Sequence, residues 1–185
     1  FPSLLTPQKT YVPDDEFENY LESIGYGNNI LNDDYVLTSY VQSLDSISPH
    51  PVNSNGTIQD LTGLQDFTSL RMLNLIGNGV LGLSGSIESK IPSLPNLEWL
   101  NVDACAYDTL DVSNIPNLKY VSARQIGVVQ ALGGISSRLK FLNISNSQNI
   151  ETINLGENSG VNIANLLNLN SLETLIFDNV SSISG

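Results

Sequence analysis

The chain predicts an α/β-type repeat solenoid, with a parallel β-sheet on a concave face, an irregular convex side and a short N-terminal helical cap. Three observations carry this reading. Apolar residues return at a fixed spacing through residues 70–180, a short amphipathic segment with a capping signal precedes them, and the units between returns are too short for a long helix. The spacing runs Leu70, Leu73, Leu75, Asn78, Val80, then Leu97, Leu100, Val102, Cys105, Tyr107, then Leu118, Val121, Ala123, Ile126, Val128. Two more copies are read at Leu139, Leu142, Ile144 and at Leu172, Leu175, Phe177, Val180.

The pattern is L-x-x-L-x-L-x-x-N/C-x-L, the leucine-rich repeat. One such unit cannot bury its own apolar face, and only a stack makes a continuous core. Unit starts at Leu70, Leu97, Leu118, Leu139 and Leu172 give intervals of 27, 21, 21 and 33 residues. The 21-residue unit is the basic period, and the longer intervals place insertions near 81–92 and 156–168. A second apolar cluster closes each return segment: Leu83, Leu110 with Val112, Leu132, and Ile153 with Leu155. Extended or 3₁₀ segments are expected there. The asparagine column is weak (Asn78, Cys105, Ile126, Ser147, Val180), so irregular turns are expected from the third repeat onward.

Residues 1–12 read as an extended lead. Pro13-Asp14-Asp15-Glu16 opens a helix with Asp14 as N-cap and acids at the positive end of the dipole. Phe17, Tyr20, Leu21 and Ile24 form one apolar stripe, and Gly25 is the natural stop. That stripe is expected to cover the open first edge of the solenoid. Residues 25–40 read as loop. Val41, Leu44 and Ile47 read as a first degenerate strand, 48–57 as a Pro/Asn/Ser/Gly loop, and Ile58, Leu61, Leu64 and Phe67 as the lead into the clear repeats. Residues 1–40 are thus lead and helical cap and 41–185 the solenoid, together one structural domain. The last residues, Val180-Ser-Ser-Ile-Ser-Gly185, stop within a repeat and without a polar cap, so a continuation past Gly185 is expected.

A net charge of -12, from seven Lys+Arg against nineteen Asp+Glu, argues against nucleic acid and against insertion into or docking on an anionic membrane. No apolar run reaches the roughly 18 residues of a membrane span, and the first residues lack the basic and apolar regions of a signal peptide. A single histidine, His50, in a proline-bounded loop, and a single cysteine, Cys105, in a core column, assemble no nucleophile–base pair and no His/Cys metal set. The chain therefore reads as no enzyme, with no cofactor. Calcium is the one metal weighed. Asn28-Asn29 with Asn32-Asp33-Asp34 offers oxygens, but the EF-hand spacing and its glycine are absent. Asn55-Gly-Thr57, Asn143-Ile-Ser145 and Asn179-Val-Ser181 match the glycosylation pattern and read as accidental.

In the repeat the leucines point inward, and the residues between them point onto the sheet face. Three columns then cross the strands: Met72, Trp99, Tyr120, Phe141, Thr174; Asn74, Asn101, Ser122, Asn143, Ile176; and Ile76, Asp103, Arg124, Ser145, Asp178. Trp99, Tyr120 and Phe141 in one line beside Asn101, Ser122 and Asn143 suit a protein or polysaccharide ligand, because one aromatic side chain carries much apolar area. Cross-strand stabilisation explains such a line equally well, at about 0.2–1 kcal/mol per pair. Arg124 with Lys119 and Lys140 reads as a basic cluster flanked by Asp103 and Asp178 in the same column. The candidate face is therefore Met72, Trp99, Asn101, Asp103, Tyr120, Ser122, Arg124, Phe141 and Asn143, on a monomer.

Tyr11-Val-Pro-Asp-Asp-Glu-Phe-Glu-Asn-Tyr-Leu21, Asn32-Asp-Asp-Tyr-Val and Asp60-Leu-Thr-Gly-Leu64 resemble the start of leucine-rich repeat proteins of Bacteroidetes, especially marine flavobacteria. Tyr107-Asp-Thr-Leu-Asp-Val-Ser113 resembles their L-x-x-L-D-V-S return segment. The resemblance covers most of residues 11–183. It implies a bacterial protein, secreted or on the outer cell surface, and carries no specific binding residues. Its main departures are the insertion at 48–57 and the decayed asparagine column. Recognition is the function expected, and a structural spacer in a larger surface protein is the alternative.

Overall fold

The computed structural model describes residues 7–49, 57–78, 91–102, 105, 109–112, 115–122, 141–143, 150–154, 162–164 and 171–176. The elements in order are β1 (Lys9–Tyr11), α1 (Asp15–Ser23), β2 (Tyr35–Leu37), α2 (Thr38–Val41), β3 (Ser46–Ile47), a 3₁₀ turn (Leu64–Asp66), then β4 (Met72–Asn74), β5 (Trp99–Asn101) and β6 (Thr109–Asp111). There follow β7 (Tyr120–Ser122), β8 (Phe141–Asn143), β9 (Thr152–Asn154), β10 (Asn162–Ala164) and β11 (Thr174–Ile176).

Both ends of α1 follow from short-range chemistry. Asp14 Oδ1 accepts the Phe17 N–H at 2.9 Å, while Asp14 Oδ2 accepts the N–H groups of Gln59 and Asp60 at 2.8 and 3.0 Å. One side chain thus caps the helix and pins the segment that leads into the repeats. At the other end Gly25 adopts φ +82°. Its N–H goes to Glu22 O and that of Tyr26 to Leu21 O, the paired bonds of a Schellman motif. Phe17 and Leu21 are fully buried, Tyr20 packs partly against the core, and Ile24 faces water. Tyr20 Oη accepts the Ser48 N–H at 2.9 Å, so α1 reaches the chain just past the first edge strand β3. Asp14→Ala should cost about 1–2 kcal/mol, read from urea midpoints, and Asp14→Asn part of that, because an amide keeps one oxygen for the Phe17 N–H but sets its NH2 against the N–H groups of Gln59 and Asp60. Equal losses for the two would argue that the capping carbonyl is not what holds α1.

Three expectations for the cap need correction. The lead contains β1, and the segment read as loop contains β2. They pair antiparallel, Lys9 with Leu37 and Tyr11 with Tyr35. The first solenoid strand is Ser46–Ile47, and Val41 sits instead at the end of α2. The pairing is held by buried polar contacts: Thr10 Oγ1 lies 2.9 Å from Thr38 Oγ1 and donates to Asp66 at 2.7 Å. The Asn28–Asp34 segment is organised by carboxylates of α1. Glu22 accepts the N–H groups of Asn28 and Asn29, and buried Glu18 accepts those of Asp33 and Asp34.

From β3 onward the chain winds as a solenoid, with two strands per turn from β5 on. One parallel sheet of six strands has the order β3-β4-β5-β7-β9-β11, and a parallel sheet of three has β6-β8-β10. From β5 onward successive strands alternate between the sheets. The return side is therefore extended, as the short units require, and it forms a ladder of its own where an irregular convex side was expected.

The register corrects the phase of the fourth repeat. Met72, Trp99, Tyr120, Thr152 and Thr174 pair in sequence, giving intervals of 27, 21, 32 and 22 residues. Phe141 pairs instead with Thr109 and Asn162 in the second sheet. Phe141–Asn143, within the run read as the fourth unit, is thus return strand, and Ile150-Glu-Thr-Ile153 is the true fourth unit. The extra length falls between β7 and β8, not near 156–168. Ile153 is correspondingly an inner residue of the large sheet, not a return residue. Leu83, Leu132, Leu155, Ile126 and Ser147 lie outside the described residues.

The core follows from this register. Ile47, Leu73, Leu100, Val121 and Ile153 form a fully buried column, with Leu175 partly buried at its end. Leu70, Leu97, Leu118 and Ile150 make a second buried column, three residues earlier in each unit. Each such side chain contributes about 1.5–3 kcal/mol on burial. Cap and solenoid share one apolar cluster, in which Phe17 stacks on Phe67 at 5.8 Å and 19°. Asn78 and Cys105 occupy the N/C position as expected, both buried. The Asn78 amide donates to Pro49 O and Leu75 O, and Cys105 Sγ donates to Leu75 O.

Candidate binding face

The outward column of the large sheet runs Ser46, Met72, Trp99, Tyr120, Thr152, Thr174. In-register parallel strands stand about 4.8 Å apart, a spacing that lets flat side chains at equivalent positions stack. Trp99 and Tyr120 do so, with centroids 5.2 Å apart and planes at 4°. Both rings are half-buried, Met72 beside Trp99 is exposed, and Thr152 beside Tyr120 is partly buried. The aromatic line holds two rings rather than three, because Phe141 belongs to the other sheet.

The neighbouring polar column is Asn74, Asn101, Ser122, Asn154. Asn143 is absent from it for the same reason as Phe141. Asn74 donates to Ser48 Oγ at 3.1 Å and accepts the Ile76 N–H at 3.3 Å. Asn101 is half-buried, and Ser122 is buried at 1% exposure. The Ser122 hydroxymethyl is too short to emerge beside the Tyr120 ring and the Asn101 amide, so it leaves the candidate face. Asp103, Arg124, Ser145 and Asp178 lie outside the described residues.

Sequence reasoning missed a charged column at the N-terminal edge of the same strands. Asp45, Arg71, Glu98, Lys119, Glu151 and Glu173 each directly precede the outward residue, and backbone hydrogen bonds link each to the next. Glu98 accepts from Arg71 Nε at 3.1 Å and from Lys119 Nζ at 3.0 Å. Those two hydrogen bonds, the lysine's foremost, hold its carboxyl below the usual glutamate range. Lys119 therefore serves an ion-pair ladder and not the basic cluster with Lys140, which precedes a strand of the other sheet. Such exposed pairs add little stability.

Of the oxygens weighed for calcium, those of Asp33 and Asn28 have other work. Asp33 accepts from the Asn28 amide and from Lys9 Nζ at 3.2 Å. Partial burial opposes its charge, but the Asn28, Lys9 and Tyr35 donors together hold its carboxyl below the usual aspartate range. One oxygen each of Asp15, Glu18 and Asp34 falls within 4.8 Å of the others. Burial pushes Glu18 above the usual range despite its two N–H donors, and the acids Asp33 and Asp34 add to the rise.

A parallel sheet with one strand per turn of chain, inward leucines at L-x-x-L spacing and a buried asparagine at the turn defines a leucine-rich repeat solenoid. No protein-family model and no curated protein matches the chain. Among solved structures it is similar to the functional domain of InlJ from Listeria monocytogenes, at 21% identity and a TM-score of 0.53, over 96% of this chain and 40% of that one. It is also similar to an internalin, InlF, of the same organism, at 17% identity and a TM-score of 0.51, over 92% of this chain and 57% of that one. The chain thus spans about half the length of these proteins or less. The InlJ domain includes a cysteine ladder, whereas this chain has a single cysteine, Cys105. At such identities the likeness establishes the fold. Among the described residues no helix is long and apolar enough to cross a membrane.

Proposed function

We propose that the chain is a non-catalytic recognition module of a bacterial surface or secreted protein, binding a protein or glycan through the face of its six-stranded sheet. The observation that carries the reading is the Trp99–Tyr120 pair, stacked and half-exposed on that sheet between Met72 and Thr152. Clustered aromatic side chains on a rigid scaffold concentrate binding energy at small entropic cost. The scaffold below them is rigid because Leu100 and Val121, the next residues along each strand, are fully buried. The absence of a nucleophile–base set in the sequence favours binding over catalysis.

The test is a screen of the purified chain against glycan and surface-protein arrays beside the Trp99→Ala, Tyr120→Ala double variant. A ligand bound by the parent should lose about 2 kcal/mol or more of affinity in the variant, at least roughly thirtyfold. Circular dichroism of the variant should match the parent. A ligand retained at equal affinity would remove the site assignment, and no ligand at all would favour a structural spacer.

A further inference from the structure

The outward column changes size abruptly. Met72, Trp99 and Tyr120 are large, and Thr152 and Thr174 after them are small. Tyr120 has one ring face covered by Trp99. Its other face looks along the sheet to β9, where among the described residues the in-register side chain is a threonine, too short to cover a phenol ring. The strand spacing of about 4.8 Å sets where a further flat group would lie. A planar group resting over Thr152 would continue the stack at the distance Trp99 and Tyr120 already keep.

The charge ladder breaks at the same place. Arg71 and Lys119 both pair with Glu98, and Lys9 pairs with Asp33. Glu151 and Glu173 then follow each other on adjacent strands, both exposed, flanking Thr152 and Thr174. Among the described residues no cation pairs with either. Two adjacent like charges on neighbouring strands repel.

We propose that the open face of Tyr120 over Thr152, edged by Glu151 and Glu173, takes an arginine side chain presented by a partner protein. The proposal rests on the recognition reading above and narrows it to a protein ligand. A guanidinium is flat enough to stack on the tyrosine and carries forked donors and a fixed positive charge for the carboxylates. An ammonium can also sit over a ring, as Lys9 does over Tyr35, but it has no flat face to stack and no forked donors for two carboxylates, and a neutral sugar answers only the ring. The overall charge of -12 draws any cation, so the comparison that matters is arginine against lysine.

The experiment titrates the chain with fluorescein-labelled hexa-arginine, hexa-lysine and hexa-citrulline peptides by fluorescence anisotropy, near physiological salt. Hexa-arginine should bind about threefold or more tighter than hexa-lysine, and Tyr120→Leu should abolish that preference. Glu151→Gln with Glu173→Gln, both exposed and harmless to folding, should weaken hexa-arginine about three- to tenfold. Equal binding of arginine and lysine peptides, an unchanged preference in Tyr120→Leu, or citrulline matching arginine would overturn the proposal. If no preference appears while an array ligand is still lost from the Trp99/Tyr120 double variant, this inference falls and the recognition face stands.

Discussion

Phe17→Ala is expected to lower stability by about 3–5 kcal/mol, although Phe17 lies in the cap, outside every repeat. Its ring is fully buried and stacks on Phe67, which belongs to the segment entering the repeats. Removing it opens a cavity at the seam where cap and solenoid share one apolar cluster. The chain reports its own unfolding, because its only tryptophan, Trp99, sits on the solenoid sheet. A urea transition followed by Trp99 fluorescence should therefore move with a change in the cap. Phe17→Leu should recover most of the loss. If circular dichroism shifted while the Trp99 transition stayed put, the cap would be an independent unit and the shared core would be wrong.

Gly63→Ala should cost about 2–4 kcal/mol, against the usual mild gain from replacing glycine by alanine. Gly63 has φ +100°, a conformation that L-residues adopt only under strain. A Cβ there would stand 2.5 Å from Tyr11 O and 2.9 Å from Val12 Cγ2. Tyr11 O is backbone and cannot rotate away, so β1 itself must shift. That shift would pull apart the Thr10–Thr38–Asp66 contacts, since Asp66 lies three residues on from Gly63. Thermal melts of the parent and variant decide the point. A neutral or stabilising effect would show that β1 does not pack on the Gly63 turn.

The elements legible in the sequence are those set by short-range chemistry. The Asp14 cap, the Phe17/Leu21 stripe, the Gly25 stop and the Asn78/Cys105 turn position all follow from spacings of a few residues. The first three strong units, through Leu118, were legible for the same reason. The fourth was misread because Leu139, Leu142 and Ile144 imitate the unit, and a return strand in this solenoid presents the same local spacing. A better signal lies one residue upstream. Asn96, Asn117 and Asn149 each directly precede the first apolar residue of a true unit, whereas Arg138 precedes Leu139. The amide has a physical role there: Asn96 donates to Thr68 O and Asn117 to Pro95 O in the preceding turn of chain. The charged column was equally readable once the register is right. Asp45, Arg71, Glu98, Lys119, Glu151 and Glu173 all take one repeat position. By contrast β1, β2 and the return strands are three residues each, too short for alternation to mark them.

The face proposed for recognition exists only in this register, so the pairing of Tyr120 is the point to measure. Tyr120→Cys combined with Thr152→Cys places two thiols on adjacent in-register strands about 4.8 Å apart at Cα, inside the range a disulfide spans. Tyr120→Cys with Phe141→Cys places them on separate sheets. Mild oxidation followed by peptide mapping, with buried Cys105 left in place, should find the cross-link in the first pair and not in the second. A cross-link between positions 120 and 141, with none between 120 and 152, would restore the shorter repeat and dissolve the site built here.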